Sequence, residues 1–350
     1  RDYQDTAIKD IIKGFKTADR GQLVFPCRAG KTPTSQLLTE KMNNKLTLVV
    51  VPTLTLLRQF KNDWISMRNI DFDYFCVCSA KDIDKANGES SDIMADLGLT
   101  GLGITTKPKE ILKMLQEGLS SPNDRLVVFS TYQSLERVSE AIKGTDIEFD
   151  LTICDEAHKT ASTKNTTFST VHDQKKIPSK KRLYMTATPK VLSSKLRDDG
   201  MEDLVNDMNN PKVFGGEFHR MNFPEAIEKG IISDYDIVIT IVNDKEISEF
   251  IKTRKFLKDG NAEFVASCIA ADKMFGLDCR NVISFHNSIK SANLFKELNK
   301  KIAPDRNTYT VSSKMSTASR ALAIDDFSSD TNALMTNARC LTEGVDLPAI

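Results

Sequence analysis

Leu23-Val24-Phe25-Pro26-Cys27-Arg28-Ala29-Gly30-Lys31-Thr32 and Phe149-Asp150-Leu151-Thr152-Ile153-Cys154-Asp155-Glu156-Ala157-His158 are the two stretches from which the fold is read. Each is an apolar run that ends abruptly in residues suited to phosphate chemistry. In the first, a strand feeds a turn that closes on Gly-Lys-Thr, and a helix-period segment, Thr34 to Met42, leaves it. Backbone N–H groups of the turn and the helix N-terminus then face an anion. Arg28, Ala29 and Gly30 line that cradle, the Lys31 ammonium suits the β- and γ-phosphates of ATP, and the Thr32 hydroxyl reaches Mg²⁺. In the second stretch an acidic pair closes the strand. Asp155 is suited to the metal, and Glu156 to orienting and deprotonating a water. A phosphate cradle followed by an acidic strand end implies nucleotide hydrolysis.

Two positions depart from the full phosphate-loop pattern. Phe25 stands where that pattern has glycine, and Arg28 occupies a position that is often glycine in ATP-driven motors. Arg28 either follows the loop with ordinary dihedrals, adding positive charge near the phosphates, or weakens nucleotide binding. Upstream, Gln4 carries both a donor and an acceptor, which matches the edge of adenine, although a helix-capping polar stretch reads the same way.

Working outward, apolar runs alternate with helix-period segments. Ile8, Ile11, Ile12 and Phe15 mark one helix face, and Leu54, Leu57, Phe60 and Trp64 another. Leu46 to Val51, Leu126 to Phe129, Leu151 to Cys154 and Leu183 to Met185 are continuous apolar runs. Such runs are strands buried on both faces, so the chain is α/β with a parallel sheet flanked by helices. A second unit starts near Asn222, with a short helix over Ala226 to Ile231 and strands over Tyr235 to Val242, Val282 to Phe285, Thr308 to Val311 and Ala333 to Met335. The division is thus 1–222 and 223–350. Ala80 to Lys109 reads as a long loop or small insertion. Lys159 to Lys181, with Lys175, Lys176, Lys180 and Lys181, reads as a solvated loop, or as a phosphate-backbone contact.

Composition is that of an ordinary globular chain: 350 residues, 40% apolar and 27% charged. Lys+Arg 48 against Asp+Glu 48 leaves no net charge, so global charge offers no pointer to nucleic acid. No apolar stretch approaches the ~20 residues that cross a bilayer. The seven cysteines, with no C-x-x-C pair, point to a reduced, cytoplasmic setting and to no zinc site. Cys76 and Cys78 alternate with Phe75 and Val77, as two side chains on one face of a strand do.

The chain resembles the superfamily 2 helicases and translocases, with motifs in family order. Arg1-Asp2-Tyr3-Gln4 is similar to the adenine-reading element, Gly30-Lys31-Thr32 to motif I and Val51-Pro52-Thr53-Leu54 to motif Ia. Ser130-Thr131-Tyr132-Gln133-Ser134-Leu135 resembles a later strand-contact element, Asp155-Glu156-Ala157-His158 motif II and Thr186-Ala187-Thr188-Pro189 motif III. Val282 to Asn287 resembles motif IV, and Asn337 to Pro348 motif V. Phe214-Gly215-Gly216-Glu217-Phe218-His219-Arg220, with Glu225 to Tyr235, is similar to the restriction-type branch.

The resemblance implies two recA-like halves, the second truncated. It implies coupling through Thr186 and Thr188 with His158 beside them, and a DNA strand path over Pro52, Thr53, Thr131 and Gln133. Gly344 and Asp346 would approach the nucleotide from the second half, and His286 and Asn287 would touch nucleic acid or form a surface turn. The expected activity is ATP-dependent movement on DNA, tracked along one strand, with nuclease or methyltransferase modules elsewhere in a longer polypeptide. An RNA helicase and a nucleotide-gated DNA-binding module with little hydrolysis are the alternatives.

Arg1 and Ile350 both read as cut ends, and the arginine-bearing motif VI has no counterpart before Ile350. A γ-phosphate arginine is worth about 10³–10⁵ in rate. These 350 residues alone are therefore expected to bind ATP and turn it over slowly. A steady-state assay that finds full nucleic-acid-stimulated turnover from them refutes this.

Overall fold

The continuous apolar runs are strands of one parallel sheet: β1 (Arg20–Val24), β2 (Leu46–Val51), β3 (Asp73–Val77), β4 (Leu126–Thr131), β5 (Leu151–Cys154), β6 (Arg182–Thr186) and β7 (Gly216–Arg220). Their order is β3-β4-β2-β5-β6-β1-β7, and every neighbouring pair is parallel. The computed structural model describes residues 1–78, 101–161, 167–191, 207–253, 262–277, 279–312, 314–315 and 317–338.

Parallel strands need crossover helices, and those cover both faces. On one face lie α1 (Asp2–Gly14), α2 (Lys31–Lys41) and α3 (Leu54–Met67). Their apolar stripes bury Ile8, Ile11, Leu38, Leu57, Phe60 and Trp64 against Val49, Val51, Phe129 and Ile153. On the other face the helices Pro108–Leu119 and Leu135–Ile142 bury Ile111, Leu115, Leu135 and Val138 against Leu48, Val50, Val128 and Tyr184. Each such large side chain contributes about 1.5–3 kcal/mol on leaving water. Cys76 falls on the first face with Tyr74 and Cys78, while Phe75 and Val77 fall on the second, as the alternation required. Burial pushes the Cys76 thiol up to about 12, which leaves it an inert core residue.

Lys159 to Lys181 is not simply a solvated loop. Thr170, Val171, Ile177 and Ser179 are buried in it. Arg182, fully buried on β6, holds it in place. Its Nε donates to the Val171 carbonyl (3.0 Å), its Nη1 to Gln174 Oε1 (2.5 Å), and its Nη2 to the Ile177 carbonyl. The expected basic cluster is dispersed. Lys176 pairs with Glu136 (2.8 Å), Lys180 pairs with Asp150 (2.7 Å), and Lys181 donates to the Phe15 carbonyl. Of the expected insertion, 79–100 lies outside the described residues, and the helix Pro108–Leu119 begins before its expected end at Lys109.

The chain divides into two compact units, the first reaching Asp234 and the second starting at Tyr235. The helix Phe223–Glu228, expected at the head of the second half, belongs to the first. Ala226 is fully buried in its core, and Ile231 and Ile232 pack against the same cluster. β7, which no apolar run announced, pairs with β1 through a register shift between Gln22 and Leu23. The Phe218 ring on β7 fills the space left by Gly14 and Gly21. A Cβ at either glycine would stand 2.3 or 2.1 Å from that ring.

The second unit holds three parallel strands, β8 (Asn281–Phe285), β9 (Asn307–Ser312) and β10 (Ala333–Ala338), in the order β8-β10-β9. Leu334 packs with Cys268, Ala271 and Phe295 from the helices Ala262–Phe275 and Ile289–Ile302. Met335 packs with Val311 and Phe327 on the other side. The strand expected over Tyr235 to Val242 pairs with no strand among the described residues. Tyr235, Ile237, Ile239 and Ile241 are 57–84% exposed. Alternating apolar residues show fitness for a half-buried pleat, and only a paired edge makes a strand of them.

Around β6 the His172 ring lies among Tyr184 and Phe214, with Nδ1 3.0 Å from the Tyr184 hydroxyl. Burial, helped by the nearby Arg20 and Arg182 charges, holds His172 well below the usual imidazole range, at about 3. Neutral His172 therefore contributes stability that is complete above its ordinary value near 6.5 and is lost as pH falls toward 3. Urea melts across this window should show the wild type losing up to about 1.4 kcal/mol per pH unit more than His172→Asn. Equal slopes for the two proteins would remove His172 from the acid limb.

Candidate functional site

β1, β6 and β5 are consecutive neighbours, so their carboxyl ends open side by side. At a strand spacing of about 4.8 Å, the loops after β1 and β5 stand about 10 Å apart, with β6 between them. These loops carry Gly30-Lys31-Thr32 and Asp155-Glu156-Ala157-His158, and β6 ends at Thr186. Ligands of open parallel sheets bind at this edge.

Thr186 joins the two loops. Its carbonyl accepts from the Phe25 amide (3.1 Å), which fixes the entry to the phosphate loop. Its Oγ1 lies 2.9 Å from His158 Nδ1 and accepts from the Thr188 amide at 3.1 Å. His158 Nδ1 is also 3.3 Å from Glu156 Oε2. Thr186, His158, Glu156 and Thr188 thus form one connected polar chain beside the acidic pair.

The phosphate loop is shaped by two left-handed residues, Arg28 (φ +63°) and Gly30 (φ +85°). Arg28 therefore does not follow the loop with ordinary dihedrals. The φ of Gly30 is the reason glycine stands there, and a Cβ at that position would also meet the Gln4 amide tip at 2.8 Å. Gln4, nearly buried, donates to the Gly30 carbonyl (3.4 Å) and to Thr34 Oγ1 (3.3 Å). Ala29 is buried and Arg28 exposed. Lys31 and Thr32 open α2, and Lys31 Nζ rests near the Phe25 and Pro26 carbonyls (3.4 and 3.5 Å), partners it can exchange for an anion. The first-turn N–H groups of α2 have no intrahelical partner, and Pro33 removes one of them at no cost.

Asp155 is nearly buried at the end of β5. Its amide donates to the Val50 carbonyl (2.9 Å), and its carbonyl accepts from the Tyr132 hydroxyl (2.8 Å). Glu156 follows in the left-handed region at φ +47°, a turn that separates the two carboxylates. The Asp155 carboxylate and the Thr32 hydroxyl are oxygen donors of the kind that suits Mg²⁺, and the Lys31 ammonium beside a helix N-terminus suits phosphate oxygens. Among the described residues no cluster of three or more His, Cys, Asp or Glu makes an all-protein metal cage.

The expected strand path is only partly exposed. Pro52 and Thr131 are buried, Thr53 is half-buried and caps α3 by accepting from the Leu56 amide (3.3 Å), and Gln133 is exposed. Gln133 Nε2 donates to the Pro52 carbonyl (3.1 Å), which ties the two segments together. In the second unit, His286 turns both ring nitrogens inward, to Ser291 Oγ (3.2 Å) and Ser284 Oγ (3.0 Å), and burial lowers its pKa. Asn287 is exposed. Gly344 and Asp346 lie outside the described residues.

Sequence reasoning gave no role to Tyr132 or His219. His219 packs edge-on to Phe25 (5.6 Å) and pairs with Asp10 at 2.7 Å, bracing the strand that enters the phosphate loop. Its only signal was membership in the Phe214 to Arg220 stretch.

Fold and site together define a recA-like phosphate-loop core of the restriction-type branch of superfamily 2 helicases. The chain belongs to the family described as type III restriction enzyme, res subunit, whose profile matches residues 1–191. It is 26% identical over 360 residues to the probable helicase A859L of African swine fever virus (isolate Pig/Kenya/KEN-50/1950), a match covering 99% of this chain and 36% of that protein. Among solved structures it is similar to the ATP-dependent Type ISP restriction-modification enzyme LlaBIII bound to DNA. That match has a TM-score of 0.82 and 27% identity, and covers 100% of this chain and 25% of that one. The Type ISP enzyme LlaGI, as a nuclease-deletion mutant in complex with a DNA substrate mimic, matches at TM-score 0.71 and 26% identity, over 96% and 24% of the two chains. The chain therefore spans about a third of the viral relative and about a quarter of these enzymes. No helix among the described residues is long and apolar enough to cross a membrane.

Thr186→Val keeps the side-chain shape and leaves the Thr188 amide and the His158 ring without the hydroxyl. Loss of about 1–3 kcal/mol of stability is expected in urea titrations, with Thr186→Ser restoring most of it. Equal stability of the Val and Ser variants would show that the hydroxyl bridge contributes nothing.

Proposed function

We propose that this chain is the ATP-driven motor core of a protein that moves along double-stranded DNA, tracking one strand. The observation that carries the reading is Thr186, which is bonded to both the phosphate-loop strand and the acidic loop. Lys31 leaves the Phe25 and Pro26 carbonyls to hold the β- and γ-phosphates, inside a cradle of Arg28, Ala29 and Gly30, with Gln4 toward the adenine. Thr32 and Asp155 hold the metal, and Glu156 orients the attacking water and takes its proton. Mg²⁺, when bound, offsets charge on the phosphate oxygens. His158, Thr186 and Thr188 pass the state of this site toward the strand path at Pro52, Thr53, Thr131 and Gln133. From the second unit, exposed Asn287 belongs to the DNA path, with His286 bonded behind it to Ser284 and Ser291, and Gly344 and Asp346 belong to the nucleotide.

DNA is favoured over RNA because both similar restriction enzymes were solved with DNA or a DNA mimic. Because the chain spans only a quarter of those enzymes, nuclease or methyltransferase modules elsewhere in the polypeptide are part of the proposal. So is a cytoplasmic location, with Cys76, Cys154 and Cys268 packed as buried core residues.

The test is ATP hydrolysis by the full-length protein with duplex DNA or structured RNA. Duplex DNA should stimulate turnover and RNA should not, and Lys31→Ala should lower the stimulated rate by about 10²-fold or more. Stimulation by RNA alone would replace the substrate. An unaffected Lys31→Ala protein would leave a binding module only.

A further inference from the structure

Tyr132 sits between two residues expected to face the DNA strand, yet it faces the other way. Its side chain is fully buried, and the 3₁₀ turn Tyr132–Ser134 carries it at the end of β4. Two of its contacts fall on either side of the acidic motif. The hydroxyl donates to the Asp155 carbonyl at 2.8 Å, where the chain enters that motif. The ring stacks on Phe168, with centroids 5.0 Å apart and planes at 23°, in the 3₁₀ segment Thr167–His172 downstream of it. The Asp155 amide is held from the neighbouring strand by Val50, so the Tyr132 hydroxyl is the second anchor on that peptide pair.

On the outer side, the next residue reaches the expected strand path. Gln133 is exposed and its amide group donates to the Pro52 carbonyl at 3.1 Å, one residue before Thr53 caps α3. Ser130 Oγ, on the preceding strand end, donates to the Val77 carbonyl at 3.2 Å, which fixes the segment to β3. The turn is thus gripped at its base. A strand drawing on Gln133 or the Pro52–Thr53 corner pulls on the residue bonded to Asp155.

We propose that Tyr132 is a positioning residue that transmits DNA engagement at the Pro52–Thr53–Gln133 surface to the metal-holding Asp155, through its hydroxyl bond to the Asp155 carbonyl and its stack on Phe168. The inference rests on the motor reading and deepens it. The route is separate from the Thr186 chain, which enters the acidic loop at His158. Tyr132 itself touches neither nucleotide nor DNA. Removal of its hydroxyl should therefore change how strongly DNA accelerates hydrolysis, leaving the affinity for either ligand as it was.

The experiment uses the full-length protein and reads three quantities: the ratio of duplex-stimulated to basal ATP turnover, KM for ATP, and Kd for duplex DNA. Tyr132→Phe deletes the hydroxyl and its bond to the Asp155 carbonyl and keeps the ring, so the stimulation ratio should fall by about three- to tenfold, with KM and Kd unchanged. Phe168→Leu keeps the hydroxyl and removes the stack, and should give a smaller fall in the same ratio. A purely structural role would lower both rates together and leave the ratio intact. A wild-type ratio in both variants, with the wild type itself stimulated by DNA, overturns the assignment of Tyr132 alone. Absence of stimulation in the wild type, or an active Lys31→Ala protein, overturns the motor reading and this inference with it.

Discussion

The parallel register of β5, β6 and β1 is the constraint on which the rest depends. It places the ends of three strands on one edge, and the loops that leave it bear Gly30-Lys31-Thr32 and Asp155-Glu156-Ala157-His158, with Thr186 between them. Adjacency alone would leave the loops independent. Thr186 removes that independence, because its carbonyl is bonded to the phosphate-loop strand and its hydroxyl to His158. Both loops are bonded to this one residue. The helices on both faces, with their fully buried Ile, Leu, Phe and Trp side chains, keep the three strands from sliding.

Around that edge the backbone is held in conformations that side chains resist. Arg28 and Glu156 are both left-handed, one in each loop, at a cost of about 1–2 kcal/mol apiece. Such outliers persist only where the surroundings over-determine them. The braces are visible: Gln4 on Gly30 and His219 on Phe25 for one loop, and Tyr132 and Val50 on Asp155 for the other. The outer ring of contacts is thus drawn from α1, β7 and the β4 turn, far apart in sequence and collected by the sheet order.

The legible parts of this protein were those with strong local signals. Leu46–Val51 and Leu151–Cys154 are strands with the boundaries of their runs, because every residue in them is buried and the one polar member of each, Thr47 or Thr152, is β-branched and suits a strand. α1 and α3 follow their apolar stripes. β7 was not legible, since Gly216-Glu217-Phe218-His219-Arg220 is largely polar and mostly exposed at the sheet edge, and its pairing depends on glycines in α1 and β1 that admit Phe218. Tyr235 to Val242 failed in the opposite sense, with clean alternation and no strand pairing among the described residues. The loop from Lys159 to Lys181 looked solvated because its lysines dominate the composition, whereas the fold is decided there by Arg182, which lies outside the loop and is fully buried.

The sequence by itself determined the class of fold, the two strand ends that close on Gly-Lys-Thr and on Asp-Glu-Ala-His, and the residue types at their tips. These are local properties: an apolar run long enough to be buried, followed by residues that cannot continue it. Only the tertiary structure decided which strand lies between the two loops, that Thr131 is buried while Gln133 is exposed, and that Tyr132 and His219 brace the site from behind. Strand order and side-chain facing follow from how all the buried faces are satisfied at once, and no single stretch of chain contains that information.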